Sequence, residues 1–317
     1  KFGNYKKFEV PSHAIYLSNY EYHYLSELKK ENLQLKYNRR VSYILQNKIS
    51  NVNFTEDEKI IGNKVISKLG IPKLKKYICF HARDSSYFNQ LYLNFTWPEY
   101  EEQRKNRTND YRDANINTYY EALENLTNND IYCIRTGSVV KDKLNKTNEK
   151  IIDYSLSDYQ NDFNDIYINS NCYFFIGSDS GMNVFSDVQD IPFVGLNFTE
   201  IRRVFCWVKN GVFIFKKFLN TEKNKLLSFS EIINFDFTDN PTKALSDNKI
   251  KLINNTNQEI LDVTNEMYLR LENKWDHTDE DIYLQNKFWK LFNKNLLKSS
   301  NLFIGAQYLR ENQHLIK

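Results

Sequence analysis

The chain predicts an α/β fold: a doubly wound, Rossmann-like parallel sheet with a helical C-terminal segment. Three observations predict it. From Lys75 onward, short runs of apolar, aromatic or β-branched residues alternate with segments of helical period. The runs are apolar on successive residues, as strands covered on both faces are. And Gly177-Ser178-Asp179-Ser180-Gly181 separates the run Cys172–Ile176 from a short helical segment, Met182–Gln189, before the next run, Pro192–Leu196. A strand, a small-residue turn and a helix are half of a parallel βαβ unit.

The elements follow in order. Residues 1–54 are rich in Tyr, Lys and Asn, with a helix expected over Tyr22–Lys36. Thr55-Glu56-Asp57-Glu58 opens a second helix, whose apolar side is Ile60, Ile61, Val65, Ile66 and Leu69, and Gly70 and Pro72 end it. Tyr77–His81 is the first strand, and a long polar loop is expected from Ser85 to Asn115. Ile116–Leu126 reads as a helix, Ile131–Arg135 and Ile151–Tyr154 as strands, and Asn161–Asn169 as a helix leading into the turn described above. Phe205–Phe215 supplies one or two further strands. Phe229–Ile233, Asn257–Leu271 and a segment opened by Thr278 read as helices. Residues 1–70 are thus set apart as an N-terminal segment, too short for a second complete domain. Residues 71–317 form the Rossmann-like domain with its C-terminal helices.

Composition narrows the function classes. The 317 residues are 41% hydrophobic and 26% charged, with a net charge of +3. This balance is too mild to indicate nucleic-acid binding, and suits an anionic substrate or a peripheral membrane contact. No apolar run approaches the roughly 20 residues that span a bilayer, and the first ten residues carry no apolar signal region. Cys79, Cys133 and Cys172 fall in the expected strands and, with Cys206, show no CxxC spacing. They read as reduced core residues of a cytoplasmic protein. His13, His23, His277 and His314 are scattered without ligand spacing. Asp279-Glu280-Asp281 matches a metal-binding DxD in form, but a first helical turn is the better reading. No metal is expected.

Four strand ends point to one edge of such a sheet, where ligands bind. They carry His81-Ala82-Arg83-Asp84, Arg135-Thr136-Gly137, Asp153-Tyr154-Ser155 and Ser178-Asp179-Ser180-Gly181. Arg83 and Arg135 would give phosphate oxygens fixed positive charge and bidentate contacts. The Ser178–Gly181 turn would add hydroxyls and backbone N–H groups at a helix start. Plainer readings stand beside these: Arg83 and Asp84 as a structural ion pair, Arg135 as a surface residue, and Ser178–Gly181 as an ordinary capped turn. Convergence on one edge favours a site for the diphosphate of a nucleotide sugar.

The same residues resemble a bacterial glycosyltransferase family, often encoded with surface-polysaccharide genes, in which a strand ends in HVRDSAY. Here that segment is His81-Ala82-Arg83-Asp84-Ser85-Ser86-Tyr87. The family's YRN-x-D-I-x-x-Y is similar to Tyr111-Arg112-Asp113-Ala114-Asn115-Ile116-Asn117-Thr118-Tyr119, with Asp113 and Asn115 departing from the pattern. Its V-x-R-x-G and FFIG-x-x-SG motifs are similar to Ile134–Gly137 and Phe174–Gly181. Trp275–Thr278, Leu284–Trp289 and Tyr308–Asn312 extend the likeness to roughly residues 55–317.

More distantly, the chain is similar to the fucosyltransferase branch of GT-B enzymes. The resemblance implies a GT-B-like, metal-independent, inverting glycosyltransferase with a short or incomplete N-terminal half. It would use a nucleotide-sugar donor, plausibly a GDP-sugar, with a glycan or lipid-linked glycan as acceptor. By carry-over, Arg83 would stabilise the leaving diphosphate. His81, Tyr87, Arg112, Asn115, Arg135, Gly137 and Met182 would join Ser178, Asp179, Ser180 and Gly181 around the donor, with Tyr154 and Ser155 near base or ribose. Asp84 and Asp113 are the candidate bases. Two alternatives remain: a nucleotide-sugar epimerase or hydrolase on the same fold, and a non-catalytic nucleotide-sugar-binding module.

Overall fold

The computed structural model describes residues 53–94, 109–145, 148–201, 208–237, 240–292 and 301–317. The helix expected over Tyr22–Lys36, and Cys206, lie outside them. Seven strands form one parallel sheet: β1 (Tyr77–His81), β2 (Tyr132–Arg135), β3 (Ile151–Asp153), β4 (Phe175–Gly177), β5 (Phe193–Phe198), β6 (Asn210–Phe215) and β10 (Asn301–Ile304). Their order is β3-β2-β1-β4-β5-β6-β10. The chain therefore runs outward from β1 to β3, then returns to place β4 on the other side of β1. That reversal opens a crevice at the carboxyl ends of β1 and β4, the ligand position of doubly wound sheets.

Helices cover both faces. Tyr77 Oη donates to the carbonyl of Ile168 in α4 (Asp162–Ser170), and Cys79 Sγ lies 3.6 Å from the same oxygen. Cys133 stands in register with Ile78, one residue out of phase, and its sulfur lies 3.8 Å from the Leu123 carbonyl of α3 (Tyr120–Asn128). Side chains alternate along a strand, so α3 and α4 lie on opposite faces. Cys79, Cys133 and Cys172 are buried and free. Helix α1 (Glu56–Lys68), on the N-terminal side of the boundary drawn at residue 70, packs on α4: Tyr167 Oη donates to the Lys59 carbonyl at 3.3 Å.

The core is aromatic. The rings of Phe175 and Phe193 stack at 5.9 Å, and Phe213 lies 5.4 Å from Phe193. Gly195, in register with Phe213, leaves the space that ring occupies; a Cβ there would fall 2.0 Å from Phe213 Cδ1.

Several expectations change. The loop expected from Ser85 to Asn115 contains helix α2 (Ser86–Asn94) and a 3-10 turn at Asp110–Arg112. The Met182–Gln189 helix is a 3-10 turn, Gly181–Asn183, followed by a six-residue helix, α5 (Val184–Gln189). A small antiparallel sheet, absent from the sequence reading, joins β8 (Lys225–Leu226), β7 (Lys217–Asn220) and β9 (Ile250–Ile253). Helices α6 (Phe229–Ile233) and α7 (Pro241–Asp247) flank it in the chain. Next come α8 (Asn257–Leu271), α9 (Asp279–Trp289) and, after β10, α10 (Ala306–Glu311). The Asp279-Glu280-Asp281 run occupies the first turn of α9, where Asp281 completes a capping box with Thr278 and pairs with Arg310. No described helix is long and apolar enough to cross a membrane.

Candidate active site at the β1–β4 crevice

The sheet register aligns the strand ends. Asp153, Arg135, Phe80, Ile176, Val194 and Val212 stand side by side, so the residues after them share one edge. At the crevice, the Arg83 backbone N–H donates to Ser178 Oγ at 2.8 Å, tying the two strand ends together. Ser178 N–H donates to the His81 carbonyl at 3.3 Å.

Arg83 is the centre of the site. It is 5% exposed; Nη1 donates to Asp113 Oδ1, while Nη2 is buried without a hydrogen-bond partner. The segment Asp110–Asp113 lies over the crevice, since the Ala114 N–H donates to the Arg83 carbonyl at 2.9 Å. It brings Arg112, whose Nη1 lies 3.9 Å from Asp179 Oδ1 and whose Nε is also buried and unpartnered. A third cation arrives from β6. Lys216, 3% exposed, donates from Nζ to the carbonyls of Tyr111 at 2.9 Å and Asp113 at 2.6 Å. Three separate chain segments thus deliver Arg83, Arg112 and Lys216 to one place. Such a convergence of fixed and half-buried positive charge binds anions.

Burial and neighbouring charge shift three of these groups, and burial is the main cause of the lowered value of Arg83. Burial raises the Asp113 carboxyl to about 6, an effect that outweighs the opposing pull of Arg83; Asp110 and Asp84 push it the same way and Lys216 opposes. Burial lowers Lys216 to about 8, with Asp113 opposing and Arg83 assisting.

The remaining predicted residues divide clearly. Ser178, Asp179 and Arg112 stand at the crevice with Arg83. Ser180 caps the 3-10 turn, accepting from the Met182 N–H at 3.3 Å. Gly181 is exposed, Met182 packs partly against the core, and Tyr87 on α2 is 47% exposed. Asn115 is exposed and caps its own turn through Asn117 N–H.

Others serve the scaffold. Arg135, 1% exposed, donates from Nη1 to Asp153 Oδ2 at 3.0 Å and to the Asp142 carbonyl at 2.6 Å, so neither the phosphate contact nor the surface position read from sequence describes it. Ser155 donates to the other Asp153 oxygen at 2.5 Å, and Tyr154 donates to Asp165 at 2.7 Å. The third strand end therefore closes on itself. Both Asp84 oxygens accept backbone N–H groups, from Ser86 at 2.8 Å and Lys141 at 2.9 Å, which fits an anchor rather than a base. Nor does Asp84 pair with Arg83, whose partner is Asp113. His81 Nδ1 donates to the Thr136 carbonyl at 2.9 Å; burial lowers its pKa to about 4, keeping it neutral. Gly137, at φ +142°, packs against it.

Sequence reasoning missed Lys216. Its only sequence signal is Lys216-Lys217 closing the apolar run Gly211–Phe215. It also missed Tyr119, whose hydroxyl faces Ser178 and Asn197, and polar atoms buried without partners along the same edge: Asn183 Oδ1 and Thr199 Oγ1. Unspent hydrogen-bonding capacity of this kind is uncommon in folded proteins and calls for an explanation at a site. Asn197 has a left-handed backbone, φ +57°, where β5 shifts register against β6. It exchanges two 2.7 Å bonds with Asn255.

Compared with models of protein families, with curated proteins and with solved structures, the chain matches none.

Proposed function

We propose that the chain is a GT-B-like, inverting, metal-independent glycosyltransferase. It takes a nucleotide-sugar donor, plausibly a GDP-sugar, and a glycan or lipid-linked glycan acceptor of bacterial surface-polysaccharide assembly. It works in the cytoplasm, with a peripheral membrane contact. One observation carries this reading: Arg83, Arg112 and Lys216 converge at the switch point of a seven-stranded parallel sheet. The motif resemblance of His81–Tyr87 and Tyr111–Tyr119 supports it.

In this scheme the acceptor hydroxyl attacks the anomeric carbon. The bond to the diphosphate oxygen breaks and its electron pair leaves with the diphosphate. Arg83, with Arg112 beside it, binds that developing charge through donors fixed before reaction, which lowers the barrier without reorganisation. Lys216 adds positive charge from beneath while holding the strap that bears Arg112. The acceptor's proton passes to solvent water as the new bond forms, because Asp84 and Asp113 are both engaged. That engagement favours one second reading, a nucleotide-sugar-binding module without transfer.

A thermal-shift screen of GDP, UDP, ADP, CMP and their sugars tests the proposal. A ligand at 100 times its dissociation constant adds roughly 2.7 kcal/mol of stability. Arg83→Ala should lose that gain and all donor turnover while keeping its circular dichroism spectrum. A variant that still binds and turns over donor as the wild type does would refute the assignment. Binding without turnover across a panel of acceptors would favour the second reading, and donor consumption without acceptor a hydrolase or epimerase.

A further inference from the structure

Arg83 is already occupied by a carboxylate of the chain itself. Its Nη1 is bonded to Asp113, and its Nη2, buried, is bonded to nothing. Asp113 keeps about a quarter of its side chain, 28%, open to solvent, whereas Arg83 shows only 6%. Solvent can therefore protonate the carboxylate where it stands, while the guanidinium stays fixed. An anion reaching Arg83 meets this carboxylate first, at a distance where two negative charges cannot share a half-buried site at low cost.

We propose that Asp113 is a built-in competitor for Arg83: an anion entering the crevice displaces its carboxylate from the guanidinium, and Asp113 takes up one proton from solvent as it is displaced. This rests on the reading that the Arg83 crevice takes an anion, and not on that anion's being a nucleotide sugar. The charges around Asp113 suit the exchange. Arg83 and Asp84 face it from the turn after β1, Asp110 from its own segment and Lys216 from the end of β6, while Arg112 and Asp179, from the turn after β4, act on Arg83 beside it. When Asp113 is neutralised the three cations face three carboxylates, Asp84, Asp110 and Asp179, instead of four, so the repulsion at Arg83 falls and its guanidinium is left to the ligand. The ordinary value of the carboxyl, raised by burial to about 6, puts the proton exchange within reach of neutral pH. The device makes affinity at Arg83 depend on pH through a residue that need not touch the ligand.

Sulfate tests this, because its two charges are fixed across the range and it carries no base or sugar. Calorimetric titration of the whole chain at pH 5.5 and 7.5, in two buffers of different ionisation heat, reads both affinity and protons taken up. If only the protonated carboxyl yields Arg83, wild-type affinity is roughly twentyfold weaker at pH 7.5, with about one proton bound per sulfate there. Asp113→Asn should bind far more tightly than the wild type at pH 7.5, with only the fractional proton uptake that Lys216, near 8, allows, and Arg83→Ala should not bind. Wild-type binding that is flat with pH, that takes up no proton, or whose slope and proton count are undiminished in Asp113→Asn overturns the proposal. So does sulfate binding that survives Arg83→Ala. The wild-type proton count stands even where a variant fails to fold. Proton-linked sulfate binding together with no response to any nucleotide sugar would leave this inference standing and remove the donor assignment. No sulfate binding at either pH, in wild type or Asp113→Asn, would count against both.

Discussion

Gly137 is a position beside the site where a single side chain would do harm. Its backbone sits at φ +142°, which L-residues seldom adopt, and a Cβ there would lie 3.0 Å from His81 Nδ1 and 3.2 Å from Val140 Cγ1. His81 cannot retreat, because the same nitrogen donates to Thr136. Gly137→Ala is expected to cost about 1–3 kcal/mol, the usual range for backbone strain of this kind. Urea denaturation checks it: the midpoint should fall with an unchanged slope. An unaltered midpoint would mean that the His81 pocket has slack the geometry does not show. Neighbouring positions show how poorly residue type alone predicts direction. Arg83 and Arg135 both follow apolar strands, yet one has a nitrogen without a partner and the other is bonded to Asp153 and Asp142. Both are fully or nearly buried. What separates them is whether a carboxylate from the adjacent strand lies in register, and only the pairing of β2 with β3 reveals that.

At the scale of elements, the segment Asp110–Asp113 is held from below by Lys216. Two charge-assisted bonds run from its Nζ to the carbonyls of Tyr111 and Asp113, and the segment's own turn adds Arg112 N–H to Asn109 O at 3.2 Å and Asp113 N–H to Asp110 O at 2.9 Å. Lys216→Met removes the first pair and leaves the turn bonds. Each bond to a charged group is worth about 1.5 kcal/mol or more, so amide exchange at residues 112–114 should quicken by at least about tenfold. Exchange in β1 and β4 should be unchanged. Equal protection of 112–114 in both proteins would show that the strap does not depend on the lysine. Strands β1, β2, β4 and β5 were legible in the sequence because each is a short apolar run between turn residues. The helices α1 and α9 were legible from their openings at Thr55 and Thr278, and α8 from its amphipathic period; all three begin with capping boxes. Helix α2 was hidden because Ser85–Asn94 mixes aromatic and polar residues with little helical period. β10 and the β7–β8–β9 sheet were hidden because their few apolar residues are interleaved or flanked with Lys and Asn, unlike the continuous apolar runs that contain β2 and β4. The Arg83 and Ser178 ends could be placed together once a parallel sheet was expected. Lys216 could not, because its role comes from the order in which β5 and β6 join the sheet.

For the whole molecule, two buried groups tie stability to pH with opposite signs. Asp113 titrates at about 6 in the folded chain against an ordinary 3.8, so the folded state holds a proton that the unfolded chain has released. Its stabilising contribution is full below pH 3.8 and is lost as pH rises through 6, amounting to about 3 kcal/mol. His81 does the reverse. At about 4 against an ordinary 6.5, it is neutral in the fold while the unfolded chain binds a proton. Its contribution is full above pH 6.5 and is lost as pH falls through 4, again by about 3 kcal/mol. Between pH 4 and 6 the two slopes oppose each other, and the wild type is spared part of the acid loss that His81 alone would impose. Asp113→Asn removes one slope and leaves the other, since an amide does not titrate. Urea midpoints at pH 4.5, 5.5 and 7 should therefore show the wild type gaining on Asp113→Asn as the solution is acidified, by about 2 kcal/mol between pH 7 and 4.5. Parallel curves for the two proteins would place Asp113 at an ordinary carboxyl value. They would also withdraw the proton that the competition at Arg83 requires.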